Sequence, residues 1–143
     1  MRIFTIGYEG ATQAEVIAAL QEAGVTLLAD VRAVPLSRRP GFSKNILAAG
    51  LREAGIDYVG LKALGTPPAG REAARKGDHV KLREIYAAQL DLPEAVVASE
   101  QLREMAAERP TALLCFEREA SACHRSLLLE MLFAEEERVD LNP

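Results

Sequence analysis

Thr111-Ala112-Leu113-Leu114-Cys115-Phe116 is an apolar, strand-like run. A short polar turn follows, and then Cys123-His124-Arg125 opens an apolar stretch that continues to Phe133. The order is strand, cysteine-bearing loop, helix. It sets a thiol, an imidazole and a guanidinium beside the unpaired amide N–H groups of a helix N-terminus, a place that favours anions and thiolates. Both cysteines and one of the two histidines of the chain fall inside this segment, where chance scatter would spread them.

Outward from that segment, short apolar runs alternate with longer amphipathic ones. Residues 2–7 read as a strand and 12–23 as a helix, with Thr12 and Glu15 spaced as a capping box and Gly24 as its stop. Residues 25–31 form a second strand, and a helix to residue 54 follows, with Ser43 at its cap and Phe42 able to staple onto Leu47. Residues 56–61 make the third strand. Helices are expected over 78–90 and 93–108, the latter with Pro93 at its first position. After the strand at 111–116 come a helix over 122–135 and a short closing strand at 138–141. Strands separated by helices imply parallel pairing with helices on both faces. The expected fold is therefore one α/β domain in three layers, with a mostly parallel sheet of four to five strands.

In an open sheet of this kind the binding crevice lies beyond the carboxyl ends of the strands. The residues expected there are Gly7-Tyr8-Glu9-Gly10, Asp30-Val31-Arg32, residues 62–65, and the segment from Cys115 to Arg125. Residues 33–42 and 62–77 read as two long loops leaving the same edge, the first carrying Ser37, Arg38 and Arg39 and the second Arg71, Arg75 and Lys76.

Composition narrows the classes. At 143 residues, 49% hydrophobic and 27% charged, the chain fits a folded globular domain that needs no staples. No run reaches the roughly 18 apolar residues of a membrane span, and the first residues do not read as a signal peptide. Two cysteines without an export signal point to the reducing cytoplasm. Net charge is −4, but residues 32–83 hold eleven Lys or Arg against four acids, so the middle is basic on an acidic protein. Such a patch can focus a field on an anionic ligand.

Thr5-Ile6-Gly7-Tyr8, Asp30-Val31-Arg32, Pro35, Ser37, Phe42, Gly55-Ile56-Asp57-Tyr58, Leu64-Gly65, Leu114-Cys115-Phe116-Glu117 and Cys123-His124-Arg125 occur in that order. Together they resemble the domain of unknown function 488 family over nearly the whole chain. Where that family usually has a His after the third strand and a second Gly after Leu-Gly, this sequence has Gly60 and Thr66. The resemblance implies an α/β fold and a recurring set of polar residues, without a substrate or reaction. The Cys…Cys-His-Arg arrangement is also distantly similar to rhodanese and Cys-dependent phosphatase loops. Those loops place five residues between Cys and Arg, against the nine between Cys115 and Arg125.

Four readings of the site follow. In the first, Arg32, Arg38 and Arg125, with Tyr8, Ser37 and Glu117, bind a phosphate or sulfur oxyanion. His124 or Asp30 then moves a proton and Cys123 supplies a thiolate, as in a transferase or hydrolase. In the second, Cys115, Cys123 and His124, with Asp30 or Glu117, hold a catalytic metal in a hydrolase. In the third, the same basic crevice serves a nucleotide or nucleic acid, with Tyr8 or Phe42 as stacking faces. In the fourth, Cys115 is core, Asp30 and Arg32 are a structural ion pair, Ser37 is a turn residue and His79 is surface.

Overall fold

The computed structural model describes residues 2–119 and 124–143. Strand β1 (Arg2–Gly7) leads to helix α1 (Gln13–Glu22), β2 (Leu27–Asp30), α2 (Lys44–Glu53) and β3 (Asp57–Gly60). Then come a 3-10 turn (Lys62–Leu64), α3 (Pro68–Arg75), α4 (His79–Leu90) and α5 (Pro93–Glu108). Strand β4 (Thr111–Cys115), α6 (His124–Leu132) and β5 (Glu137–Leu141) complete the order. The five strands form one sheet in the order β3-β2-β4-β1-β5, and all four pairings are parallel.

Alternation along the strands builds two cores. From β1 and β4, Ile3 and Leu113 turn to one side with Leu102 of α5, Tyr86 of α4 and Leu128 of α6. Phe4, Ile6, Ala112 and Leu114 turn to the other, against Val16 and Leu20 of α1 and Leu47 and Leu51 of α2. The helices after β1 and β2 thus cover one face and those after β3 and β4 the other. Because β4 lies between β1 and β2, its chain leaves toward the opposite face from its neighbours, which opens a crevice at its carboxyl end.

Local chemistry accounts for the element ends. Thr12 accepts from the Glu15 amide while Glu15 accepts from the Thr12 amide, the reciprocal box the spacing predicts. Ser43 does precede α2 but does not cap it through its side chain. Its hydroxyl instead accepts from the Ser37 amide and donates to the Ser37 carbonyl.

One expectation is corrected. Residues 62–77 are not a long loop, because a 3-10 turn and α3 occupy most of them. Pro68 sits where a helix start tolerates proline, and Gly70 lies so close to Thr66 that a Cβ there would meet the threonine methyl at 2.4 Å. That helix carries Arg71 and Arg75 on a fixed scaffold.

Candidate functional site

At the carboxyl ends of β1 and β4, Gly7 pairs with Cys115, and the chain beyond Cys115 folds tightly back over Gly7. A Cβ on Gly7 would fall 1.8 Å from the Glu117 carbonyl oxygen. Only glycine admits that approach. Three further bonds hold the same turn: the Glu9 amide donates to the Phe116 carbonyl at 2.8 Å, the Arg118 amide to the Glu9 carboxylate at 3.0 Å, and the Arg125 guanidinium to the Glu117 carbonyl at 2.5 Å.

Asp30 and Arg32 form the second fixed unit. Arg32 donates to the two carboxylate oxygens of Asp30 at 2.8 and 2.7 Å, to the Phe42 carbonyl at 2.7 Å and to the Tyr8 hydroxyl at 3.2 Å. Asp30 accepts in addition from the Arg32 amide at 3.1 Å and from the Tyr58 hydroxyl at 2.5 Å. Both side chains are buried. Burial works against the guanidinium charge, but the hydrogen bonds and charge of Asp30 outweigh it and hold Arg32 above its ordinary value. Burial and then the bond to Asp30 push the Tyr58 phenol up as well. Tyr8 stacks on Phe42 with centroids 4.4 Å apart and meets Phe116 edge-on at 5.4 Å.

Between these units lies a cavity of about 380 Å³. Buried residues of its lining include Tyr8, Arg32, Cys115 and His124. One wall is Ala33, Val34 and Leu36 of the segment after β2, and the facing wall is Thr66, Arg71, Ala74 and Arg75 with Leu82 of α4. Phe116 and Glu117 complete it. The walls are locked together at one point, since a Cβ on Gly65 would lie 2.2 Å from the Ala33 amide nitrogen. Arg71 is oriented by its bond to the Thr66 carbonyl at 3.0 Å, while Arg75 is exposed.

His124 is buried, with Nε2 2.7 Å from the Val31 carbonyl. A carbonyl only accepts, so Nε2 carries the proton and Nδ1 is the lone-pair nitrogen. Burial, and behind it the charge of Arg125, push the imidazole down to about 4 against the opposing pull of the Val31 carbonyl. The ring is therefore neutral at ordinary pH. Cys115 is also buried, and its thiol donates to the Glu117 carboxylate at 3.4 Å.

The residues anticipated from the sequence thus distribute unevenly. Tyr8, Arg32, His124 and Glu117 line the cavity, and Asp30 sits behind Arg32. Arg125 is buried and braces the Glu117 carbonyl without lining the cavity. Ser37 accepts from the Arg39 amide at 3.1 Å within its own turn, and Arg38 is exposed and outside the cavity lining. Cys123 lies outside the described residues. Among the described residues no three His, Cys, Asp or Glu side chains group as a metal would require. Cys115 and Phe116 line the cavity, as expected of the segment beyond the fourth strand, whereas sequence reasoning did not anticipate the apolar lining by Val34 and Leu36.

The model of the family described as domain of unknown function DUF488 matches residues 12–132, most of the chain. The chain belongs to the DUF488 family. That match spans α1 to the end of α6, so the DUF488 region includes both walls of the cavity, while β1 and Tyr8 precede it. No curated protein and no solved structure matches the chain. Among the described residues of this DUF488 protein, no helix is long and apolar enough to cross a membrane.

Proposed function

We propose that the cavity beyond β1 and β4 binds a small anionic ligand, with Arg71 and Arg75 supplying the attraction. The observation that carries this reading is that Arg71 and Arg75, both on α3, line a concave site whose other arginine, Arg32, is already matched by Asp30. A cavity of about 380 Å³ falls in the small-molecule class, roughly 300–1,000 Å³. Glu117 contributes one carboxylate, so the charge facing a ligand from α3 and the turn remains net positive.

Asp30, with both oxygens engaged by donors, orients Arg32 and Tyr58 in this proposal and does not move a proton. His124 keeps the site polar but uncharged, and a base whose conjugate acid has a pKa of about 4 carries protons poorly near neutrality. The reactive part of the proposal is Cys123, which immediately precedes His124 and Arg125 in the chain. A thiolate there would act on the bound anion in a transferase or hydrolase reaction.

Calorimetric titration with inorganic phosphate at two salt concentrations tests the binding. The wild type should bind more weakly at high salt, and Arg71→Ala and Arg75→Ala should each weaken binding and flatten that dependence. Unchanged binding and salt sensitivity in both variants would remove the proposal.

A further inference from the structure

The same cavity that carries two arginines on α3 also exposes three large apolar side chains. Val34 is 52% exposed, Leu36 66% and Phe116 43%, and all three line it. Single exposed apolar residues are ordinary, but three around one concave, positively charged site mark a surface awaiting an apolar partner. Nothing about a bare oxyanion uses them. An inorganic anion is strongly hydrated and far smaller than this cavity, and packing it against leucine and phenylalanine would cost hydration without return.

Phe116 is placed to receive a flat group. Its ring is already edge-on to Tyr8, which in turn lies face to face with Phe42, so its orientation is fixed by an aromatic row running into the core. The Glu9 amide holds the Phe116 carbonyl at 2.8 Å, so the backbone beneath the ring is fixed as well. Such a ring presents a prearranged aromatic contact, with a preference for offset or edge-to-face partners.

We propose that the ligand is an aryl-bearing oxyanion, its ring packed on Phe116, Leu36 and Val34 and its charged group held by Arg71 and Arg75. This rests on the anion reading above and names the class of molecule the site selects. Selectivity comes from the two ends acting together: the arginines attract any small anion, and the apolar side chains discriminate among them by the area each anion buries.

Calorimetric competition among inorganic phosphate, methyl phosphate and phenyl phosphate separates the two layers. Phenyl phosphate should bind at least about tenfold more tightly than methyl phosphate, the advantage expected of one buried ring. Leu36→Ala and Phe116→Ala should each cut that advantage to about threefold or less while leaving the affinity for inorganic phosphate unchanged. Leu36 is exposed enough that its replacement does not threaten folding, which keeps the test readable should Phe116→Ala loosen the turn. Equal affinities for phenyl and methyl phosphate, or an advantage that survives both substitutions, would overturn the aryl proposal and leave the anion reading standing. If none of the three binds, the anion reading falls and this inference falls with it.

Discussion

Gly7 lies directly beneath the Glu117 carbonyl, so close that a side chain on Gly7 would begin 1.8 Å from that oxygen. Arg125 donates to the same carbonyl. The turn that carries Phe116 and Glu117 to the cavity is therefore set from below by a missing Cβ and from the side by a buried guanidinium.

Gly7→Ala should accordingly destabilise the protein by about 3 kcal/mol, the upper part of the range for overpacking, because the methyl would meet backbone on a fixed turn. Urea unfolding would read the loss as a lower midpoint. A midpoint equal to wild type would mean that the turn moves freely, contrary to its three anchoring bonds.

The Asp30–Arg32 pair gives a second expectation. Both partners are buried and bonded through two parallel contacts, so Asp30→Asn or Arg32→Met alone leaves one buried charge uncompensated and should cost about 3–5 kcal/mol. The double variant should recover part of that loss. A double-mutant cycle of unfolding free energies measures the coupling, and strictly additive losses would contradict a direct pairing.

His124 sets a pH dependence whose sign follows from its depressed value. The unfolded chain takes up its proton near pH 6.5 and the folded protein only near pH 4, so between those values the unfolded state binds more protons. Stability is full above about 6.5 and falls as the pH drops toward 4, by on the order of 3 kcal/mol for this group. Gln at position 124 keeps a donor for the Val31 carbonyl but does not titrate. The difference in unfolding free energy between wild type and His124→Gln should therefore shrink or reverse as the pH falls through this window, and a constant difference would contradict the neutral, buried ring.

The two thiols should separate. Cys115 is 2% exposed and bonded to Glu117, so a thiol reagent near pH 7 should label it slowly. Cys123 lies two residues before Arg125 in the chain and should react first, with Cys123→Ser abolishing a thiol-dependent turnover without a large loss of stability. Mass spectrometry of the labelled peptides decides between them, and faster labelling of Cys115 would contradict this assignment.

Much of the architecture was legible because strand and helix periods are strong signals when apolar residues recur densely. The run at 111–116 and the capping box at Thr12 and Glu15 reappear as β4 and the start of α1. Helix α3 escaped because Pro67, Pro68 and Gly70 read as breakers, and only Gly70 and Ala73 are buried along its eight residues. Its stability comes from packing that a local pattern does not carry. The same omission hid the cavity wall: Arg71 and Arg75 were visible as charges in a loop, but not as two residues of one helix lining the same cavity as Phe116. Asp30 and Arg32 were visible as a pair, whereas the enclosure of that pair by Tyr8, Phe42 and Tyr58 depends on segments far apart in sequence.

Amide chemical-shift mapping during titration with inorganic phosphate tests the central claim most directly, because it locates the anion without assuming a reaction. Saturable shifts should concentrate at Ala33, Val34, Thr66, Arg71, Arg75, Phe116 and Glu117, and should vanish in the Arg71→Ala/Arg75→Ala double variant. Shifts absent from these positions, or undiminished in the double variant, would contradict an anion site in this cavity.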